Sequence, residues 1–170
     1  DVSEAAWYYG AVAWAAERGI AQSDMERFAP DAPCTRAEMV TFLYRAAGSP
    51  KTARTESGFA DVSAGGVLER AVCWAVENGV TNGTDAAHFS PEETCTRAQA
   101  MTFLHRALGL PEGQGDAAFS DVSEGAWYTE AVRWAVGAGV TNGVGEGRFA
   151  PDEKCTRAQI VAFLQRAYHK

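Results

Sequence analysis

The string CTRAE at 34–38 returns as CTRAQ at 95–99 and again as CTRAQ at 155–159. Three of its letters are read as a helix start. Thr35, Thr96 and Thr156 stand as N-caps, and Glu38, Gln99 and Gln159, three residues on, complete a capping box that satisfies two otherwise unpaired backbone donors. Arg36, Arg97 and Arg157 then occupy the first helical position, where the helix dipole disfavours a cation by a few tenths to about 1 kcal/mol. An unfavourable choice made three times calls for a compensating anion. One candidate is an internal carboxylate, such as the aspartate of the recurring DVS segments, Asp1, Asp61 and Asp121. The other is an external carboxylate or phosphate, held by the arginine fork together with helix-start amides. The residues alone leave both open.

Two further sets bear on ligand chemistry. Trp7 and Trp127 occupy a position that is Val67 in the middle copy, so the fold does not demand an aromatic ring there. A flat ring face suits the apolar face of a sugar, which makes Trp7 and Trp127 candidate ligand contacts. Trp14, Trp74 and Trp134 recur in all copies beside alanines and are read as core. Asp1, Asp61 and Asp121 precede the first helix of each copy, placed either to cap it or to accept from sugar hydroxyls. Arg45, Arg106 and Arg166 fall late in the second helix, where a cation suits the dipole, and are read as structural.

Catalytic and metal chemistry find little support. His88, His105 and His169 are not equivalent by position, and no Ser/His/Asp, HExxH, CxxC or phosphate-loop pattern occurs. Three symmetry-equivalent sulfurs, Cys34, Cys95 and Cys155, cannot all pair with one another. They are read as small buried apolar residues, and Cys73 has no counterpart. No catalytic residue, metal ligand or cofactor is assigned.

The elements that position these residues come in three copies. DVS begins at 1, 61 and 121, giving units 1–48, 61–109 and 121–169 joined by Gly-, Pro- and Ser-containing surface linkers at 49–60 and 110–120. In the third unit, Trp127, Ala131, Trp134 and Ala135 share one helix face. Gly19, Gly79 and Gly139, each followed by an apolar residue, read as Schellman stops. An Asn-Gly turn follows in copies two and three, whereas copy one has a shorter AQS segment. Phe28, Phe89 and Phe149 precede a small residue and proline, and the second helix then begins at CTRA. Two short helices cannot bury such broad apolar faces alone. The sequence therefore predicts an all-α fold: three helix-loop-helix repeats in a pseudo-threefold bundle with second helices inside and grooves between neighbours, an open solenoid being the alternative.

Composition narrows the partner. Of 170 residues 46% are hydrophobic, and the net charge of -7 argues against nonspecific nucleic-acid or anionic-membrane binding. Twelve arginines to three lysines favour recognition of planar anions. No stretch is long and apolar enough to span a membrane. The later copies open with FADV and FSDV and the first with DV alone, so the chain reads as a piece of a longer protein.

With FxDV, WY or WA, WAV followed by glycine, NG, FxPD and CTRA in register three times, the chain resembles the S-layer homology domain family over nearly its whole length, 1–170. The resemblance implies a three-pronged helical domain that holds extracellular proteins non-covalently on bacterial cell walls. Its implied ligand is secondary cell wall polysaccharide, often ending in pyruvylated N-acetylmannosamine, bound in inter-repeat grooves. By motif position the anion-binding role falls to Arg36, Arg97 and Arg157, with Asp1, Asp61, Asp121, Trp7 and Trp127 as groove partners. The module would be a monomer within a larger protein, with no nucleic-acid partner and no membrane insertion. A protein-interaction or assembly module is the competing reading. Three departures from the family pattern stand out. Cysteine replaces an aliphatic residue and adds an oxidisable group, Val67-Leu68 replaces the aromatic pair, and the first copy's loop is short. The last two are expected to weaken particular grooves.

Overall fold

The computed structural model describes residues 1–21, 27–113 and 119–169. The described residues form six helices: α1 (Tyr9–Glu17), α2 (Arg36–Ala46), α3 (Val67–Glu77), α4 (Arg97–Ala107), α5 (Thr129–Gly137) and α6 (Arg157–Tyr168). Among the described residues the only extended pairings are isolated bridges, so the fold is all-α. Most of the copy-one turn after Ala21, and linker residues 114–118, lie outside the described residues.

The expected local signals appear three times. Each second helix starts with a complete capping box, Thr35 with Glu38, Thr96 with Gln99 and Thr156 with Gln159. Each first helix stops at a left-handed glycine, Gly19, Gly79 or Gly139, with φ of 65–70°. The next residue's amide then reaches back to the carbonyl of Ala15, Ala75 or Ala135 at 2.7–2.8 Å, the Schellman bond.

Closure of the three copies is visible in the backbone around the axis. The Cys34 amide donates to Cys155 O (2.8 Å), Cys95 to Cys34 O (2.9 Å) and Cys155 to Cys95 O (3.0 Å), a cyclic set of bonds. Each second helix packs on the first helix of the next copy: α2 on α3, α4 on α5, and α6 back on α1. That last contact joins the ends and excludes the open solenoid. Met39, Leu43, Met101, Leu104, Ile160 and Leu164 of the second helices fill the shared core.

The three axial cysteines are fully buried free thiols. Burial pushes Cys34 and Cys95 far above the ordinary thiol range and Cys155 up to about 12. Oxidation proceeds through the thiolate, so this setting protects the sulfurs, contrary to the sensitivity expected from sequence.

The connectors are less detached than their composition suggests. The Ala53 amide reaches the Glu77 carboxylate, and His105 Nε2 lies 2.8 Å from Pro111 O. At Gly113 a Cβ would come within 2.9 Å of the Trp134 nitrogen, so only glycine lets that connector lie against α5.

Candidate functional site

Each repeated arginine begins its helix in one copy and reaches into the next. Arg36 Nε donates to Phe89 O (2.9 Å), Arg97 Nε to Phe149 O (2.8 Å) and Arg157 Nε to Phe28 O (2.7 Å). The guanidinium lies between two rings of that next copy. Arg36 sits 4.9 Å from the Phe89 centroid and 5.3 Å from Phe103; Arg97 lies between Phe149 and Phe163, and Arg157 between Phe28 and Phe42. All three are buried, at 3%, 3% and 6% exposure. Stacking and the Nε bond account for one side of each fork.

The helix-start amides expected to join the anion site are already engaged. Arg36 N donates to Glu93 O and Ala37 N to Pro91 O; Arg97 and Ala98 bond Glu153 O and Pro151 O, and Arg157 and Ala158 bond Ala32 O and Pro30 O. The third amide goes to the capping threonine. Neighbouring copies close the ring by consuming these donors, so the helix-start amides are not free for a ligand.

Asp1, Asp61 and Asp121 cap no helix. α1, α3 and α5 have no side-chain cap. Instead Asp61 accepts from the Phe89 and Ser90 amides (2.9 and 2.8 Å), and Asp121 from Phe149 and Ala150 (both 2.8 Å). Asp1 does the same for Phe28 and Ala29. Ala29, Ser90 and Ala150 hold φ of 52–58° immediately before proline, a left-handed conformation disfavoured for residues with a Cβ. The carboxylate stabilises that turn, and the turn aims the phenylalanine carbonyl at the arginine. The aspartates thus position the arginines from behind, and neither Asp61 nor Asp121 lines the clefts described below.

This bracing makes the turns sensitive to acid. Burial acts to raise Asp61 and Asp121, but the two amides outweigh it and hold both carboxyls below the ordinary 3.8. A depressed folded value means that their contribution is complete above the unfolded pKa and lost as pH falls through the folded one. In urea unfolding across pH 7 to 2.5, the parent is expected to lose stability below about pH 4. Asp61→Asn should be about 1–2 kcal/mol less stable at pH 7 and lose less on acidification. An unchanged acid slope in this variant would contradict the assignment.

Two clefts of about 380 Å³ lie between copies. The first gathers Arg36 from copy one, Thr81–Thr84, Gln99, Thr102, Phe103 and Arg106 from copy two, and Trp127 from copy three. The second is its rotated counterpart, with Arg97, Thr141–Val144, Gln159, Ala162, Phe163, Arg166 and Trp7. The turn glycine is required in each floor: at Gly83 a Cβ would lie 2.5 Å from the Phe59 ring and 2.6 Å from His88 O.

Each cleft carries two arginines, and among the described residues no carboxylate lines either. Arg36 and Arg97 form no ion pair among the described residues, and burial lowers the pKa of both. Arg36 Nη2 is buried without a hydrogen-bond partner. Arg97 Nη2 has only a 3.5 Å contact to the Thr141 hydroxyl. Trp7 and Trp127, at 65% and 62% exposure, stand at the rims, each set edge-on against the following tyrosine.

Arg157 differs. Its Nη1 pairs with Glu38, the residue that stands where the other grooves have Gln99 and Gln159. The cyclic order that gives Trp127 to the Arg36 groove and Trp7 to the Arg97 groove leaves Val67 for the Arg157 groove. Phe28 and Phe42 against Arg157 belong to copy one, the copy with the short turn. The sequence departures therefore converge on one groove, which also supplies its own counterion.

Arg106 and Arg166 have the structural role expected of them: each bonds the carbonyl of the residue after the Schellman glycine, Val80 O or Val140 O. They also line the clefts. Their recurrence was visible in sequence, but the helix dipole was a sufficient reason for it.

A family model described as the S-layer homology domain matches residues 1–40, 58–101 and 118–161. The chain is 37% identical over 103 residues to the surface-layer 125 kDa protein of Lysinibacillus sphaericus, covering 61% of this chain and 9% of that protein. It is 40% identical over 92 residues to an endoglucanase of Bacillus sp. strain KSM-635 (54% and 10%). With the S-layer protein sap of Bacillus anthracis it shares 36% over 96 residues (56% and 12%). The chain thus spans about a tenth of the length of these relatives.

Proposed function

The chain belongs to the S-layer homology domain family, and from that membership we propose that it anchors the protein carrying it, non-covalently, to the bacterial cell wall. Its place is then the extracellular face of the cell. Relatives as different as a surface-layer protein and an endoglucanase match over only a tenth of their length, as suits an appended binding module rather than a catalytic unit. On this reading 1–170 acts as one monomeric module, with 49–60 and 110–120 as connectors within a longer chain.

The ligand is a secondary cell wall polysaccharide with an acidic terminus, of which a pyruvylated N-acetylmannosamine is the leading example. The observation that carries this reading is the buried Arg36 guanidinium, with an unpartnered Nη2, in a cleft free of carboxylates. A buried donor without a partner is costly, and a ketal carboxylate would satisfy it. Trp127 at the rim then stacks on the sugar ring, and the Arg97 groove repeats the arrangement with Trp7.

Calorimetry with purified wall polymer, before and after removal of its acidic substituents, tests the reading. Binding is expected to weaken at least about tenfold on removal, since charge-assisted hydrogen bonds are the strong ones. Equal affinity for both preparations would remove the anion mechanism. Pull-down by polysaccharide-bearing sacculi that is lost when the polymer is extracted would count against a protein partner.

A further inference from the structure

Resting on that reading of the grooves, we propose that the two clefts are not equivalent. The Arg36 groove reads a hydroxyl or amide of its anionic sugar through Thr102, whereas the Arg97 groove is blind at that point.

Thr102 is 4% exposed, lines the Arg36 groove, and its Oγ1 has no hydrogen-bond partner. It is thus a second orphaned polar atom in the same cavity as Arg36 Nη2. The equivalent position in the Arg97 groove is Ala162, equally buried at 4%. The fold therefore accepts a residue without a hydroxyl there, although copy one also has a threonine, Thr41, at this position. Across the cleft the same asymmetry recurs: Thr84 in the first groove corresponds to Val144 in the second, which is 46% exposed. Thr84 Oγ1 is tied to Ser90 Oγ (2.7 Å) and His88 O, so the free hydroxyl is that of Thr102.

A site that holds a buried polar group for its ligand rejects an analogue lacking the complementary group. An apolar wall discriminates weakly. The Arg36 groove is accordingly the selective one, and the Arg97 groove accepts sugars with an apolar substituent or a hydrogen at that place.

The rim tryptophans give each groove its own reporter. In 1H–15N spectra the indole signal of Trp127 follows the Arg36 groove and that of Trp7 the Arg97 groove. The probe is a methyl glycoside of pyruvylated N-acetylmannosamine. Thr102→Val keeps the side-chain volume and removes the hydroxyl. It is expected to weaken binding reported by Trp127 about tenfold, one hydrogen bond's worth, and to leave binding reported by Trp7 unchanged. It should also raise the melting temperature of the free protein, because an unpartnered buried hydroxyl is gone. Ala162→Thr should tighten the Trp7-reported site. Unchanged Trp127-reported affinity in Thr102→Val, or equal losses at both sites, overturns the proposal while wall binding stands. If neither indole of the parent protein responds to the probe, the wall-sugar reading and this proposal fall together.

Discussion

Replacing Arg36 and Arg97 together by glutamine is expected to abolish retention on wall polymer, and the same change at Arg157 to leave retention intact. In the first two grooves the guanidinium has an Nη group without a strong partner and no carboxylate beside it. Each charge-assisted contact to a ligand carboxylate is worth about 1.5–3 kcal/mol. On the proposed reading, loss at one groove is expected to weaken that groove about 10- to 100-fold, and loss at both to leave only tryptophan stacking. Arg157 already spends its outer nitrogen on Glu38.

Stability follows a different pattern. All three arginines lie buried between two phenylalanines and cross-link copies through Nε. Glutamine cannot fill that space, so each variant should lose about 2–4 kcal/mol. A common stability loss with an affinity loss at only two positions separates ligand binding from folding. Lysine at 36 and 97 adds a second control: its single nitrogen can serve the phenylalanine carbonyl or the ligand, but not both. Sacculus pull-down beside thermal melts reads both quantities. Loss of retention in the Arg157 variant equal to that in the double variant would refute the division of roles.

The division was partly legible in the sequence. Capping boxes, Schellman stops and the closed three-copy bundle depend on short-range chemistry or on a strict repeat, and both are written along the chain. The tension between Arg36 and the helix dipole was visible too, as was the spare tryptophan position. What lay hidden depends on the cyclic offset between copies. Asp61 braces a turn 28 and 29 residues away, and no local pattern distinguishes that from a helix cap. The donors of the helix starts are consumed across a copy boundary, so they looked free. Arg36 meets Trp127 two copies on, and only closure reveals that pairing. The single letter separating CTRAE from CTRAQ carries no local signal beyond the capping box, which either residue completes.

That letter carries the second large effect. Glu38 performs the same capping bond as Gln99 and Gln159, so Glu38→Gln preserves the helix start while releasing Arg157 from its counterion. Removing one partner of a largely buried pair should cost about 1–3 kcal/mol, below the range for fully buried pairs because the Glu38 side chain is 31% exposed. The freed guanidinium then resembles Arg36, a buried cation with no ion pair among the described residues. Ring stacking is still missing, because Val67 offers no face. Glu38→Gln combined with Val67→Trp supplies both elements, and calorimetric stoichiometry with a monovalent pyruvylated sugar is expected to rise from two to three. Each change alone should give less than a full third site: charge without stacking, or stacking over a neutralised arginine. Bound ligand should also recover the stability lost on releasing Arg157, through mass action on the folded state. A stoichiometry fixed at two in the double variant would mean that Glu38 and Val67 are not what closes this groove. The capping-box residue would then be a helix cap and nothing more.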